Sequence, residues 1–496
     1  MGGIVKRASK NIIWGMGNKI IIILFPFVIR TVMIYKLGKM YIGLDSLFVS
    51  ILQVLCLADL GMDAAVVFCL YEPLSQNDIA RVGGILSFYK KVYRWLGIFI
   101  FFFGISLMPF FDLLIKGDYP RGINIYIIYL LQLLNVVLEY WLFAYKNALL
   151  IALERVDLES KIRMIINVMQ YIVQIAILLV FSDYYLYVII FPLSTIIQNI
   201  MRNHIVNKIY SKYFVKTKIR ETEKKLIISK VKALFVYKLG GVILRYADQL
   251  VISSFLGLAV LGKYSNYYYV VSTLIGILGI YYSSIRPLIG NSFIQNSKEK
   301  NLILFDNLQK IQLWIIGWCS ICLVCLFQDF IFLWAGNEFL LDFVNVILFA
   351  VYFYIWKIQD IVYVFKEATG LWDKDKIRPI CSAILNLLIN LILVQIIGLH
   401  GVLFSTIVSI SVIDLPWSAR IFFKQYFRNQ EKKYYLDILK YTILTLCIGC
   451  ITYNICGHLD FYSLWFNFVL KIVICILIPN LFYAFFIRLD KIVTKR

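Results

Sequence analysis

Seven basic side chains fall inside apolar stretches long enough to cross a bilayer: Lys19, Arg30, Lys238, Arg245, Arg286, Lys357 and Lys471. An ionisable group in such a stretch costs several kcal/mol unless it is paired, hydrated or turned to a cavity, so each is a candidate for function. Lys19, Pro26 and Arg30 are spaced by seven and four residues, which places them within about 40° of one another on a helix face. A second stripe carries Lys238, Arg245 and Gln249. Guanidinium groups hold phosphate through paired hydrogen bonds, so two such stripes suit an anionic cargo such as a phosphate or pyrophosphate head and would repel an organic cation.

Three carboxylates are candidates for charge pairing or ion coupling: Asp59, Glu139 and Asp248. At ~1.5 Å per residue, Lys19 lies about 12 Å from the inner end of the first stretch and Arg30 about 28 Å, while Asp59 reaches about the depth of Lys19. A Lys19–Asp59 pair is therefore expected, with Arg30 left without a partner on the second span. Asp248, three residues from Arg245, is placed to offset that charge in part. Pro26 removes a backbone hydrogen bond on the Arg30 face and is expected to bend the first helix as a gating hinge.

Catalytic chemistry finds little support. His204, His400 and His458 are isolated, which argues against a triad or a histidine metal centre. Cys319, Cys322 and Cys325 share a helix face, but no histidine or carboxylate adjoins them, so no metal site and no cofactor is expected. The outer carboxylates Asp329, Glu338 and Asp342 lie on short segments unlike the large acidic loops that a membrane glycosyltransferase or polymerase would need.

The elements that must position these residues follow from composition. The 496 residues are 61% hydrophobic and 16% charged, with a mean hydropathy of +0.80. Soluble chains run nearer 45–50% apolar with about 25% charged, so the chain is all-α and polytopic in a membrane rather than a soluble enzyme, a nucleic-acid binder or a disulfide scaffold. At about 20 apolar residues per crossing, fourteen spans are read. The first, Asn11 to Tyr35, is too long for the core of a cleavable signal. Sorting the 50 basic residues by side puts 38 on the side of the termini, five on the other and seven within spans. That asymmetry predicts cytoplasmic termini and an even span count, and it accounts for most of the net charge of +21, with attraction to anionic membrane lipids as a by-product.

A duplication is also legible. Leu37–Gly38 with Gly43 recurs as Leu256–Gly257 with Gly262, and at the same shift Lys19 falls on Lys238. The expected organisation is an N-lobe over 1–202 with spans one to six, a basic cytoplasmic connector over 203–230, a C-lobe over 231–423 with spans seven to twelve, and an extra helix pair with a tail over 424–496. Because six is even, both lobes enter from the cytoplasm, as parallel pseudo-symmetric halves around a cavity.

The chain resembles the oligosaccharide repeat-unit flippases of the polysaccharide exporter family, in the multidrug/oligosaccharidyl-lipid/polysaccharide superfamily. The resemblance lies in Arg30–Thr31 through Leu37–Gly38, YIGLDSLFVSILQVLCLADLG (41–61), LYEPLSQND (70–78), FAYKNALLIALERVD (143–157), ALFVYKLGGVIL (233–244) and GKYSNYYYVV (262–271). It implies two six-helix lobes with an added pair, alternating access, and transport of undecaprenyl-pyrophosphate-linked sugars across the bacterial cytoplasmic membrane for capsule, O-antigen or exopolysaccharide. It also implies a cationic cavity, here Lys19, Arg30, Lys238 and Arg245, with Gln53, Asn135 and Gln249 toward the sugar. Arg286–Pro287 departs from the small residues the family pattern would place there. A peptidoglycan-precursor flippase and a drug exporter of the same superfamily stay open as alternatives, as do proton or sodium coupling, contact with polysaccharide assembly proteins and the oligomeric state.

Overall fold

The structure is a computed structural model that describes residues 21–59, 61–459 and 463–494. Helices account for nearly all of it, with no strand among the described residues. Backbone groups in hydrocarbon must be hydrogen-bonded, and continuous apolar runs of about 20 residues meet that need within their own segment as helices. The order is α1 (21–36), α2 (Lys39–Leu55), α3 (Met62–Ser75), α4 (Ile79–Ser106), α5 (Phe111–Leu114), α6 (Ile125–Trp141), α7 (Tyr145–Ala152), α8 (Val156–Val180), α9 (Tyr184–Tyr210) and α10 (Glu221–Leu256). It continues with α11 (Leu258–Gln295), α12 (Lys298–Ala335), α13 (Phe343–Ile358), α14 (Asp360–Ala368), α15 (Arg378–Ile397), α16 (Leu399–Ser409), α17 (Leu415–Gln425), α18 (Glu431–Gly457) and α19 (Leu464–Thr494).

Eleven helical stretches among the described residues are long and apolar enough to cross a membrane, or twelve when α6 and α7, bent by 52°, count as one span. Two further expected spans differ. The first begins outside the described residues, as does Lys19. The second, read as continuous over 43–68, is broken: α2 stops at Leu55, a 3-10 turn covers Cys56–Asp59, and α3 starts after Gly61, whose φ of +96° is left-handed. The apolar run hid this break because every residue around the glycine except Asp59 and Asp63 is itself hydrophobic or small. Helix α1 continues through Pro26.

Helix starts follow side-chain caps that occupy otherwise orphaned backbone donors. Asp78 accepts from Arg81 N at 3.0 Å, Asp183 from Leu186 N at 3.0 Å and Asp342 from Asn345 N at 2.9 Å. The repeated Leu-Gly pair has one backbone form in both copies: Gly38 has φ 88° and ψ −176°, and Gly257 has φ 87° and ψ 171°. That region is open in practice only to glycine, so the motif is a backbone requirement rather than a packing one.

The chain divides into two compact units, Met1–Leu261 and Gly262–Arg496. Helix α10, which the duplication assigns to the second lobe, packs with the first unit through α2, α3 and α5. The basic connector is largely helical: residues 203–210 finish α9 and residues 221–230 begin α10.

In the second unit α15 and α16 form a hairpin around Gly398, and a Cβ on Gly401 would meet the backbone carbonyl of Leu393 at 2.5 Å. Small residues let membrane helices approach to backbone contact. Gly401→Val is therefore expected to destabilise the chain by about 1–3 kcal/mol, read as a lower melting temperature in detergent.

Candidate functional site

Helix α1 carries Arg30, half-buried, beside the start of α2. Its charge acts on Asp45 of α2 and reaches Tyr187 of α9. Asp45 accepts hydrogen bonds from Gln132 Nε2 and Tyr184 Oη, both at 3.2 Å. Tyr41 and Tyr184 pack edge to face with centroids 5.2 Å apart, and Tyr184 stacks on Tyr187 at 5.7 Å. Arg30 thus belongs to a polar cluster of α1, α2, α6 and α9 walled by tyrosines. On span two, Asp45 is a carboxylate that the Arg30 charge reaches, whereas the expectation weighed Asp59 alone. Asp45, Gln132, Tyr184 and Tyr187 are the residues that sequence reasoning missed. Asp45 lies in the apolar run YIGLDSLFV (41–49) and was legible as an intramembrane acid.

On α10 the stripe divides. Lys238 and Arg245 are exposed, and neither has an ion-pair partner among the described residues. Gln249 is instead buried, with Oε1 accepting from Ser50 Oγ of α2 at 2.8 Å. Asp248 is buried at 2% exposure. Gln249 is therefore held in the α2–α10 seam and Asp248 is buried beside it in sequence, while the two cations are exposed.

Asp59 ends the turn after α2. Glu139 is exposed on α6, and its charge acts on Arg202. Arg202 makes a buried pair with Glu159 at 2.6 Å. Asn135, expected toward a sugar, accepts from Thr195 Oγ1 at 2.6 Å, and Gln53 is exposed.

The other intramembrane bases are neutralised in the second unit. Arg286 pairs with Glu367, Lys357 with Asp360 at 2.6 Å and Lys471 with Asp329 at 2.6 Å. The outer carboxylates are dispersed: Asp329 is held by Lys471, and Asp342 caps α13 while meeting His400 Nε2 at 3.1 Å. Withdrawal from water pushes the Asp342 carboxyl up, but the Asn345 backbone N–H and the His400 imidazole outweigh it and hold it below the ordinary carboxylate range. A carboxyl lowered by folding stabilises fully above its unfolded value of about 3.9, and the stabilisation fades as pH falls through the lower folded value. Thermal melts from pH 7 down to 3 should show wild type losing its advantage over Asp342→Asn only below about pH 4.

No protein-family model matches the chain, and no curated protein matches it. Solved structures do. The chain is similar to the lipid II flippase MurJ in an inward closed conformation, with a TM-score of 0.70 at 16% identity over 97% of this chain and 100% of that one. It is similar to an inward-facing multidrug resistance MATE family transporter of the MOP superfamily, with a TM-score of 0.64 at 14% identity over 80% of this chain and 94% of that one. A MOP superfamily transporter from Pyrococcus furiosus, described by a reversed polarity of its binding pocket, aligns with a TM-score of 0.50 at 14% identity over 84% and 95%. The fold is accordingly the all-helical one of MurJ and the MATE transporters, and the chain is a multi-pass membrane protein whose structural neighbours are transporters.

Proposed function

We propose that the chain is a flippase that moves undecaprenyl-pyrophosphate-linked oligosaccharide repeat units from the inner to the outer leaflet of the bacterial cytoplasmic membrane by alternating access, with both termini cytoplasmic. The observation that carries this reading is the pair of exposed cations on α10, Lys238 and Arg245, without counter-ions among the described residues. They lie seven residues apart, so two helical turns bring them to one face about 10 Å apart along the axis. Such a pair offers a doubly anionic head two separate points of charge, and one of them is a bidentate guanidinium. Arg30 supplies a third positive group, tempered by Asp45. The seats for the pyrophosphate are Arg30, Lys238 and Arg245.

A peptidoglycan precursor presents the same pyrophosphate, and the likeness to a lipid II flippase favours that as the second reading. Proteoliposomes holding the purified chain and either lipid-linked oligosaccharide or lipid II separate the two, with the outer-leaflet fraction read by a membrane-impermeant lectin or quencher. Faster appearance of the oligosaccharide lipid is expected. Movement of lipid II alone would select the second reading, and movement of neither would remove both.

A further inference from the structure

Cys325 of α12, Cys456 of α18 and Cys475 of α19 lie far apart in sequence, yet their sulfur atoms all fall within 4.8 Å of one another. All three are buried, at 9%, 3% and 0% exposure. A fourth thiol, Cys322, stands one turn along α12 with Sγ 3.9 Å from the Cys475 carbonyl oxygen. That same carbonyl also accepts from Trp318 Nε1 at 2.8 Å, which fixes the α19 backbone against α12.

We propose that Cys325, Cys456 and Cys475 form a binding site for a soft divalent d10 metal ion, zinc or cadmium, that fastens the C-terminal helix pair α18–α19 to α12. The proposal is independent of the transport reading.

Metal–thiolate bonds of about 2.3 Å in a trigonal set put sulfur atoms about 4.0 Å apart, so closing the site needs movements of under about 1 Å. Buried cysteine is ordinarily a small apolar filler. Three such fillers from three helices have no packing reason to place sulfur against sulfur, whereas a shared ion gives one. Binding converts three thiols to thiolates and releases three protons to solvent, with no change of oxidation state. The Lys471 ammonium, one turn from Cys475 and paired with Asp329, acts on both Cys456 and Cys475. Cys322 is a candidate for a fourth position, and it lines an apolar cavity of about 310 Å³ beside the cluster.

The test titrates cadmium into the full-length chain, purified in detergent with a reductant and freed of metal by chelation. Thiolate-to-cadmium charge-transfer absorbance should saturate at one equivalent per chain, with proton release and a higher melting temperature. Cys475→Ser and Cys456→Ser should each lose the band, while Cys447→Ser and Cys450→Ser, on exposed positions of α18, should keep it. If Cys475→Ser fails to fold, Cys456→Ser near the end of α18 carries the test alone. Absence of a stoichiometric band in wild type, its survival in Cys456→Ser, or a disulfide between two of the three thiols in protein isolated without reductant would overturn the proposal.

Discussion

A chain carrying Lys238→Glu and Arg245→Glu together is expected to lose polymer export altogether while reaching the membrane in normal amount. Both side chains are exposed and without ion-pair partners among the described residues, so reversing them strands no buried counter-charge and should leave the fold intact. A charge-assisted hydrogen bond contributes about 1.5–3 kcal/mol, so losing one such contact weakens cargo binding roughly ten- to hundredfold. Reversal adds repulsion of the anionic head, so two reversals take transport below detection. The neutral variants Lys238→Gln and Arg245→Gln should give graded losses, with Arg245→Gln the larger because it removes a bidentate contact. The readouts are surface polymer in a strain lacking its own flippase and transport in proteoliposomes. Normal export by the double variant would sink the seat on α10.

Arg30 obeys a different expectation, because its charge acts on Asp45. The Arg30→Gln change leaves that carboxylate with only Gln132 and Tyr184, so it disturbs the α1–α2–α6–α9 cluster as well as removing a positive charge. Asp45→Asn keeps the hydrogen-bonding shape and frees the guanidinium. Comparing the two variants separates a role in holding the cluster from a role in holding cargo.

That neighbour was within reach of sequence arithmetic. Arg30 lies seven residues before Leu37, and Asp45 lies seven after Gly38, so a hairpin at Leu37–Gly38 puts both about 10 Å from the turn. Depth measured only for Asp59 missed it. The helical class, the membrane and the Leu-Gly turns were legible because hydropathy and glycine spacing are local signals. Gln249 was not: its helical face matches the cation stripe to within 40°, and only the docking of α2 through Ser50 decides that it is buried. The convergence of Cys325, Cys456 and Cys475 was equally hidden, since 150 residues separate the first from the last and nothing local reports that α12 touches α18 and α19. The short segment 366–378 misled in another way. Its basic residues count toward the inner side and so look solvated, yet Lys366 and Arg378 are 2% and 4% exposed.

Those two cations lead to the second large effect: Arg378→Leu is expected to remove most folded protein. Arg378 Nε reaches Asp375 at 2.9 and 3.0 Å, its guanidinium also meets Asp414, and it lies 4.8 Å from the centre of the Tyr363 ring. Lys366 meets Asp375 as well and donates to Ser418 Oγ at 3.0 Å. Asp375 and Asp414 are 1% and 4% exposed, so two cations and two carboxylates balance inside the protein. Asp414 ends a π-helical turn, Ile410–Asp414, between α16 and α17, and this widened turn is the kind of break that presents a side chain off the regular ladder. Removing one charge from a buried set typically costs about 3–5 kcal/mol, because what is left lacks compensation. Arg378→Lys should rescue only in part, since one ammonium lacks the fork that serves Asp375 and Asp414 together. The double change Arg378→Leu with Asp414→Leu leaves Lys366 and Asp375 as a neutral pair and should recover most of the loss. Folded yield in membranes and melting in detergent measure all three. Equal stability of Arg378→Leu and wild type would show that the network does not hold α14, α15 and α17 together, and a double variant no better than the single would place the cost in lost packing rather than in charge.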